Sequence, residues 1–515
     1  MNLVYNRVLV YDTQGRPEFV SSNIPQYNIH PWHTHPLLKS HDVDGNYEFI
    51  DQLENKLGVK FPYQRKGGES KVIMDHLHPL RSQSFEVFLD HDVFRHNIFT
   101  LDEIKKLDLN INYIYPIVLY NNSLFDKYST ISLDPKVIED SKKGKCKICF
   151  IQPTEGFFGQ DNHNFIWFDN FSKKYGLDNT NLYMITTNLI AKSRKDILVA
   201  SGSISENSYT ILDYTYFGSN LWFHEPGQIT DPKCVGNGRE KLTEYINSSL
   251  NKIKKYHFLN FNRVPKLHRI LLYGFLKGND HFKNKFISSL GGLQTNNPDE
   301  YLNWVRQQIP DNYEWKNTII GYYEGHDSRE HHWYDEPDLE NNKASNLNNQ
   351  AHMDSFVNIV SESLTHETTV FFSEKIYKPI FVAQPFIMVG NPKSLEVLQS
   401  QGFKTFSKWW DESYDQELDY YKRMDKIFDV LKEIASWDMS KCYEFTQEML
   451  PTLIHNFNIL MKAETLQSLF NEIEPEYTIK NNPQQDYSPP TNEVTEKTIK
   501  RLYNNDGDIT HKGLI

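Results

Sequence analysis

Residues 369–390 read TVFFSEKIYKPIFVAQPFIMVG and carry the clearest structural pattern in the chain. Ser373 is a preferred N-cap residue, so a helix is predicted from Ser373 to Ala383. The continuous apolar run at 386–389 predicts a buried strand after this helix, and the run at 356–360 predicts another before it. Strand, helix and strand in this order form a βαβ unit, which requires a parallel sheet.

The same alternation occurs in two stretches of the chain. In the first, strands are predicted at 147–152 and 181–187 with a helix at 165–175 between them. In the second, a strand at 256–261 leads into a helix at 265–276. We therefore predict an α/β fold with two Rossmann-like domains facing a cleft. The predicted division is a loop-rich N-terminal accessory region (1–140), a first Rossmann-like domain (141–250), a second one with C-terminal helices (251–475) and a polar tail (476–515).

The composition indicates a soluble protein with an aromatic-rich core. Of the 515 residues, 39% are hydrophobic and 14% aromatic, and this length predicts more than one domain. The formal net charge of −12 disfavours a nucleic-acid partner, because neutralisation of phosphates supplies much of such affinity. Neither a signal peptide nor a stretch of roughly 18 apolar residues is evident, so a cytoplasmic protein is expected. The richness in Asn, Lys and Ile suggests an AT-rich viral or bacterial genome.

Three groups of residues resemble metal sites, and for each we favour a structural interpretation. Cys146 and Cys149 form a CxxC, but in a strand these positions point to opposite faces, and no second CxxC completes a tetrahedral site. The histidines between His30 and His41 occupy a Pro-rich loop. The segment 324–344 contains several His and acidic residues and is predicted to be a solvated loop or lid. No metal is expected to be obligatory, although a divalent ion is conceivable.

Lys375 occupies an unusual position for a basic residue. It falls in the first turn of the predicted helix, where the helix dipole is already positive. An anion docked there would remove the conflict, because free backbone amides and the ammonium group would both face it. Glu374 beside it could hold ribose hydroxyls. The alternative is an ordinary surface Glu-Lys pair.

A second segment, HFLNFNRVPKLHR at 257–269, also carries polar residues between a predicted strand and the helix that follows it. It places Asn262 and Arg263 at the carboxyl end of a strand and Arg269 in the next helix. Arginine matches phosphate oxygens well, although either arginine alone could equally be a solvated surface residue. Together with Lys375 they suggest a bound nucleotide diphosphate. No GxxxxGK[ST] or GxGxxG pattern occurs, which disfavours a P-loop or a dinucleotide site.

The segment VSES-x9-SEKIYKPIFVAQPFIMVG resembles the donor-binding motif of the fucosyltransferase family that uses GDP-fucose, and NFNRVPKLHR resembles its upstream arginine segment weakly. The resemblance implies that Glu374 binds the ribose, Lys375 the phosphates and Arg269 the diphosphate. Glu362 and Ser363 fall at the Glu-Asn of the family motif. It also implies a GT-B architecture, a GDP-sugar donor bound in the C-terminal half, and no obligatory metal.

An acceptor site is then expected in the first domain. Inverting sugar transfer needs a base for the acceptor hydroxyl proton. Glu155 is the best candidate, because it follows a predicted strand and precedes Phe157 and Phe158, whose rings could pack on a sugar and raise the pKa of the carboxyl group. Asp161 and His163 are the next candidates. A capping or solvated role for Glu155 is as well supported.

The sequence therefore favours an inverting glycosyltransferase that moves a sugar from a nucleotide-diphosphate donor to a glycan or other hydroxyl acceptor. A non-catalytic carbohydrate-binding or virion-associated protein on a transferase-like fold is the main alternative. A transferase acting on modified DNA bases is a third, which the acidic charge disfavours.

Overall fold

The structure is a computed structural model, and its description covers the following residues: 7–11, 96–101, 105, 112–118, 133–152, 158–159, 161–215, 239–291, 298–326, 347, 349–365 and 368–461. Two parallel sheets organise them, one of six strands and one of four. None of the helices in these ranges is long and apolar enough to cross a membrane.

The first domain is built on the six-stranded sheet. Its strands are β1 (Arg7–Tyr11), β2 (His96–Thr100), β3 (Tyr113–Val118), β4 (Cys146–Gln152), β5 (Leu182–Thr186) and β6 (Thr210–Asp213), in the order β2-β1-β3-β4-β5-β6. All pairings are parallel. β4 has the sequence CKICFIQ. Of its residues only Lys147 is partly exposed, and the others are buried. Such near-continuous apolar runs are typical of strands covered on both faces.

The helices of the first domain pack aromatic side chains against this sheet. They are α1 (Pro135–Lys142), α2 (Asn162–Tyr175) and α3 (Ala191–Ala200). Phe150 of β4 meets Phe168 and Phe171 of α2 edge-to-face, with ring centroids 4.9 and 5.2 Å apart. α2 ends at Gly176, whose φ of 63° is the left-handed conformation that favours glycine at a helix end. The aromatic-rich composition therefore supplies the core of this domain.

The second domain is built on the four-stranded sheet. Its strands are β7 (Tyr256–Asn262), β8 (Phe286–Leu290), β9 (Ser355–Ser361) and β10 (Phe386–Val389), all parallel and in the order β10-β9-β7-β8. The helices are α4 (Arg239–Leu250), α5 (Leu267–Gly278), α6 (Pro298–Gln308), α7 (Trp315–Glu324), α8 (Asn349–Asp354), α9 (Glu374–Phe381), α10 (Ser394–Ser400), α11 (Tyr420–Ala435) and α12 (Met439–Met461). One large core joins them to the sheet, and Phe275 of α5 stacks on Phe428 of α11 at 3.9 Å.

The carboxyl ends of the two sheets meet each other. The segment after β5 contacts the segment that lies between β9 and α9, where Leu189 N–H donates to the Val370 carbonyl over 2.8 Å. Leu189 and Ile190 also pack against the core of the second domain. The predicted α/β class with two Rossmann-like domains facing each other is confirmed.

The six-stranded sheet extends further toward the N-terminus than the sequence pattern indicated. Strands β1, β2 and β3 come from within residues 1–140, where a loop-rich accessory region was predicted, yet they pair in the same sheet as β4. The physical reason is that short strands separated by long polar stretches acquire their burial only by pairing with distant residues. The His30–His41 cluster and the polar tail lie outside the described residues, as does most of the 324–344 segment.

Candidate functional site

The candidate site forms where β7 and β9 lie side by side in the second sheet. Because the carboxyl ends of neighbouring parallel strands share one edge, residues that follow the two strands come together. Glu362 and Ser363 directly follow β9, Arg263 follows β7, and the first turn of α5 carries Arg269. The start of α9 completes the group, since Ser373 is its N-cap.

Glu362 organises the start of α9 from beneath. Its carboxylate accepts hydrogen bonds from the Ser373 hydroxyl at 2.5 Å, from the Ser373 N–H at 3.1 Å and from the Ser363 N–H at 3.3 Å. The side chain is buried, with 1% of the residue exposed. Burial raises the pKa of this carboxyl group, while Lys375 acts in the opposite direction. Glu362 is therefore held by the protein and orients Ser373.

Lys375 and Glu374 form an ion pair in the first turn of α9, with 2.7 Å between Nζ and Oε1. Their side chains are 21% and 15% exposed. Lys375 Nζ also lies 3.4 Å from the Ser373 hydroxyl. Burial would raise the pKa of Glu374, but Lys375 and Lys378 outweigh it, and the net pKa is lowered. The carboxylate of Glu374 is thus charged at neutral pH, and both side chains keep some contact with solvent.

Two basic side chains at the start of α5 bind the end of β9 and the backbone that follows it. Arg269 donates from Nη2 to the carbonyls of Ser361 and Glu362, at 3.1 Å each, and from Nη1 to the Val264 carbonyl at 3.0 Å. Lys266 Nζ donates to the Ser363 carbonyl at 2.6 Å. These bonds fix the path of residues 361–363 and bring two positive charges close to it.

His268 lies between these two basic residues and is also bonded to that backbone. Its Nε2 lies 2.8 Å from the Glu362 carbonyl. Burial, and next the charge of Arg269, lower the pKa of His268 to about 3. The ring is therefore neutral at physiological pH, and Nε2 carries the proton because a carbonyl oxygen can only accept.

The site has an excess of positive charge. Lys266, Arg269 and Lys375 lie within it, and Arg263 is exposed at its edge. The carboxylates of Glu362 and Glu374 oppose them. Partly buried positive charge next to a helix N-terminus favours an anion, because the helix dipole and the basic side chains attract it together. We call the group Lys266, Arg269, Glu362, Ser373, Glu374 and Lys375, with Arg263 at its edge, the α9 cluster.

The contacts above join five of the seven residues predicted for donor binding, Arg269, Glu362, Ser363, Glu374 and Lys375, while Asn262 and Arg263 come at the end of β7 and directly after it. Asn262 is at the end of β7, buried, and its Nδ2 donates to Asn260 Oδ1 over 2.6 Å. Asn260 in turn donates to the Ile359 carbonyl on β9 at 2.7 Å. These asparagines thus tie β7 to β9 beneath the cluster.

The residues predicted for catalysis belong to the first domain. Asp161 is exposed and caps α2, where its Oδ1 accepts from the N–H groups of His163 and Asn164 at 2.9 and 3.3 Å. Glu155 lies outside the described residues. Gln152, at the end of β4, accepts from the Phe158 N–H. A role of Asp161 or Glu155 as base stays a prediction.

Sequence reasoning missed Lys266, His268 and the residues that join the two domains. Lys266 and His268 stand inside the quoted segment at 257–269, so their place at the start of a helix was a usable signal. Asn188 and Arg194 gave no such signal, because their partners, Thr368 and Val370, are distant in the chain.

A separate acidic cavity of about 330 Å³ lies at the start of α10. Asp415 caps this helix through the N–H groups of Leu395 and Glu396, at 2.8 and 3.1 Å. Burial raises the pKa of Glu412, which also lines the cavity, to about 7.

Among the described residues, no three His, Cys, Asp or Glu side chains are placed to hold a metal ion. Cys146 and Cys149 are buried in β4, and burial raises the pKa of both thiols.

Comparison with known proteins found distant structural similarity only. No protein-family model matches the chain, and no curated protein matches it. The N-terminal domain of Candida albicans trehalose-6-phosphate phosphatase is 9% identical, with a TM-score of 0.39 over 92% of this chain and 98% of that one. A UDP-forming α,α-trehalose-phosphate synthase from Burkholderia vietnamiensis is 10% identical, with a TM-score of 0.35 over 72% and 74%. An α1,3-fucosyltransferase is 12% identical, with a TM-score of 0.30 over 77% and 88%. Similarity at this level gives no information on the chemistry of this chain.

Proposed function

We propose that this protein is a glycosyltransferase that takes a sugar from a nucleotide-diphosphate donor, with a GDP-sugar favoured, and passes it to a glycan or other hydroxyl acceptor. The proposal rests on the α9 cluster. Partly buried basic side chains from two neighbouring βα turns surround the N-terminus of α9, and Lys375 lies in its first turn. A diphosphate supplies the negative charge that this arrangement favours.

The residues of the cluster divide into those that hold the backbone and those that reach solvent. Arg269 and Lys266 donate to backbone carbonyls, so they act by charge and by fixing residues 361–363. Lys375 and Glu374 are paired with each other but remain partly exposed. In the bound state we assign the Lys375 ammonium and the exposed Arg263 to phosphate oxygens, and the Glu374 carboxylate to ribose hydroxyls.

Transfer with inversion would proceed in one displacement. The acceptor hydroxyl oxygen forms a bond to the anomeric carbon while the bond from that carbon to the diphosphate oxygen breaks. The hydroxyl proton passes to a carboxylate base, for which Glu155 is the first candidate, and the electron pair leaves with the diphosphate. Positive charge in the α9 cluster stabilises the developing negative charge on the leaving group.

Ligand-induced stabilisation tests the donor proposal directly. The full-length protein is heated with GDP, UDP, GDP-fucose or pyrophosphate, and a bound ligand at 100 times its dissociation constant should stabilise it by about 2.7 kcal/mol. Lys375→Ala should weaken GDP binding by at least about tenfold, because a charge-assisted hydrogen bond is lost. Lys408→Ala is the matched control, since that lysine is 70% exposed and outside the cluster.

Release of GDP from GDP-fucose with a panel of glycans then tests for transfer. Glu155→Gln should retain GDP affinity and stop turnover, because the amide cannot accept the proton. If no nucleotide or nucleotide sugar stabilises the protein, the donor proposal is wrong. Binding of glycans without any nucleotide response would instead favour a carbohydrate-binding protein. Equal GDP affinities of Lys375→Ala and Lys408→Ala would refute the assignment of Lys375.

A further inference from the structure

Among the described residues, several of those that join the two domains follow the carboxyl end of β5 in the first domain and of β9 in the second. The Leu189 N–H donates to the Val370 carbonyl at 2.8 Å, and the Val370 N–H donates to Asn188 Oδ1 at 3.1 Å. Arg194 Nη1 donates to the Thr368 carbonyl at 3.1 Å. We call Asn188, Leu189, Arg194, Thr368 and Val370 the interdomain clasp. It lies between the first sheet and the start of α9.

Asn188 serves both domains with one amide group. Its Nδ2 donates to the Phe158 carbonyl in the first domain at 2.8 Å and lies 3.5 Å from the Thr368 carbonyl in the second. Its own N–H donates to the Thr186 hydroxyl at the end of β5 over 3.1 Å. The residue is fully buried. A buried amide with several partners is costly to disturb, because any partner left behind is unsatisfied.

Arg194 repeats this double attachment from the first turn of α3. Besides the Thr368 carbonyl, its Nη1 donates to the Gly159 carbonyl, and its Nη2 donates to Asn162 Oδ1 at 3.0 Å. The guanidinium lies 5.7 Å from the centre of the Phe165 ring. A planar group with several donors can bridge carbonyls from two domains in one fixed geometry, which a lysine ammonium cannot reproduce.

In the first domain the clasp holds a tight turn. Gly159 has a φ of 83°, and a Cβ there would lie 2.9 Å from the Phe165 ring and 3.3 Å from Asn188 Nδ2. Its N–H donates to Asn164 Oδ1 at 2.9 Å. Phe158 is fully buried in the aromatic core. The turn therefore has little conformational freedom, and a displacement of the turn would move the clasp residues that contact it.

In the second domain the clasp lies immediately before α9. Val370 and Phe372 are fully buried in the second core, and Ser373 follows as the N-cap held by Glu362. A shift of Thr368 or Val370 would therefore be carried to the start of α9, because close-packed side chains transmit displacement.

We propose that Asn188 and Arg194 are positioning residues that couple the 158–159 turn of the first domain to the α9 cluster. The coupling itself is independent of any ligand. Its consequence, that an anion bound at α9 stabilises the 158–159 turn as well, rests on the proposed donor site. Asn188 and Arg194 would thus set the relation of donor to acceptor without touching either.

Hydrogen exchange on the full-length protein without ligand tests the coupling. In Arg194→Ala and Asn188→Ala, exchange should become about tenfold faster in both the 158–165 and the 368–372 segments, since charge-assisted or buried hydrogen bonds are lost on both sides. A segment of α11, residues 424–434, should be unchanged. Lys192→Ala is the matched control, because Lys192 is exposed on the same helix as Arg194.

A second measurement adds GDP and follows the same segments. In the wild type GDP should slow exchange at 368–372 and at 158–165. In Arg194→Ala the slowing at 368–372 should persist, with GDP affinity within about threefold of wild type, while the slowing at 158–165 is lost. A merely structural defect would reduce both. Arg194→Lys, which keeps the charge but not the fork, should behave like Arg194→Ala.

The outcomes separate this proposal from the donor site. If Arg194→Ala and Asn188→Ala change exchange in the first domain alone, the clasp does not couple the domains and the proposal is wrong. If GDP slows exchange at 158–165 equally in wild type and Arg194→Ala, the coupling runs elsewhere and the proposal is also wrong. If GDP has no effect on the wild type while the ligand-free result is as expected, the donor site fails and the coupling stands.

Discussion

Two helices of this protein begin in similar places but are capped by side chains of different charge. α2 is the first helix after β4 in the chain and is capped by Asp161, whose carboxylate accepts hydrogen bonds from two backbone N–H groups. α9 follows the segment after β9 and is capped by the neutral hydroxyl of Ser373, with Lys375 in its first turn. A carboxylate cap neutralises the positive end of a helix, whereas a hydroxyl cap leaves that end to the charges of its first turn, which at α9 are the paired Glu374 and Lys375.

The difference shows where each domain can meet an anion. At α2 the helix end is already occupied by a carboxylate of the protein. At α9 the carboxylate of Glu362 lies beneath the cap and is engaged by Ser373, and the carboxylate of Glu374 is paired with Lys375 in the first turn. The comparison therefore favours α9 over α2 as a place for an anion.

The largest expected effect follows from removing the carboxylate beneath α9. Glu362→Ala leaves the N–H and hydroxyl of Ser373 and the Ser363 N–H without their acceptor in a buried site. We expect a loss of roughly 3 kcal/mol in the free energy of unfolding, measured by urea denaturation. Glu433→Ala, at an exposed position on α11, should change stability by less than about 0.5 kcal/mol. A comparably small loss in Glu362→Ala would show that the cap does not depend on this carboxylate.

A smaller effect is expected from the buried histidine of the same site. The pKa of His268 is lowered from 6.5 to about 3, so the unfolded chain binds more protons than the folded one between these values. His268 therefore costs no stability above pH 6.5, and stability is lost as the pH falls below it, by about 2 kcal/mol at pH 5. His268→Gln keeps a donor for the Glu362 carbonyl and cannot titrate, so its unfolding free energy should fall less between pH 8 and pH 5.

His281→Gln is the control for this titration, because His281 is exposed. It should show the same loss between pH 8 and pH 5 as the wild type. If His268→Gln also loses as much stability as the wild type, His268 does not titrate as described, and another group in the α9 cluster or elsewhere accounts for the acid sensitivity.

The second domain was largely predictable because its signals are local. Apolar runs located β7, β9 and β10 to within about one residue, and Ser373 was identified as the cap of α9. Parallel pairing then placed the residues after β7 next to those after β9. The contacts of individual side chains were harder to predict from the sequence. Arg269 was expected to bind a ligand, and in the structure its guanidinium donates to backbone carbonyls.

The first domain was less predictable because its organisation depends on distant contacts. β1 and β3 pair although they are about a hundred residues apart, and no periodicity within residues 1–140 indicates that pairing. The clasp residues Asn188 and Arg194 are likewise defined by partners in the other domain. A polar residue directly after a strand is predicted to lie at the carboxyl edge of the sheet. Its position in the sequence does not predict which distant segment it contacts.

The smallest expected effect concerns the cap of α2, and it separates capping from catalysis. Asparagine caps helices as well as aspartate does, so Asp161→Asn should change the free energy of unfolding by only a few tenths of a kcal/mol, whereas Asp161→Ala should cost about 1 kcal/mol. Since Oδ1 of Asp161 is already shared by two backbone N–H groups, we expect Asp161→Asn to retain GDP release from GDP-fucose. Loss of turnover at unchanged stability would instead identify Asp161 as the base. In that case the Asp161 carboxylate at the N-terminus of α2 would accept the proton of the acceptor hydroxyl. The contrast with α9 would then be one between a basic donor site and an acidic catalytic site.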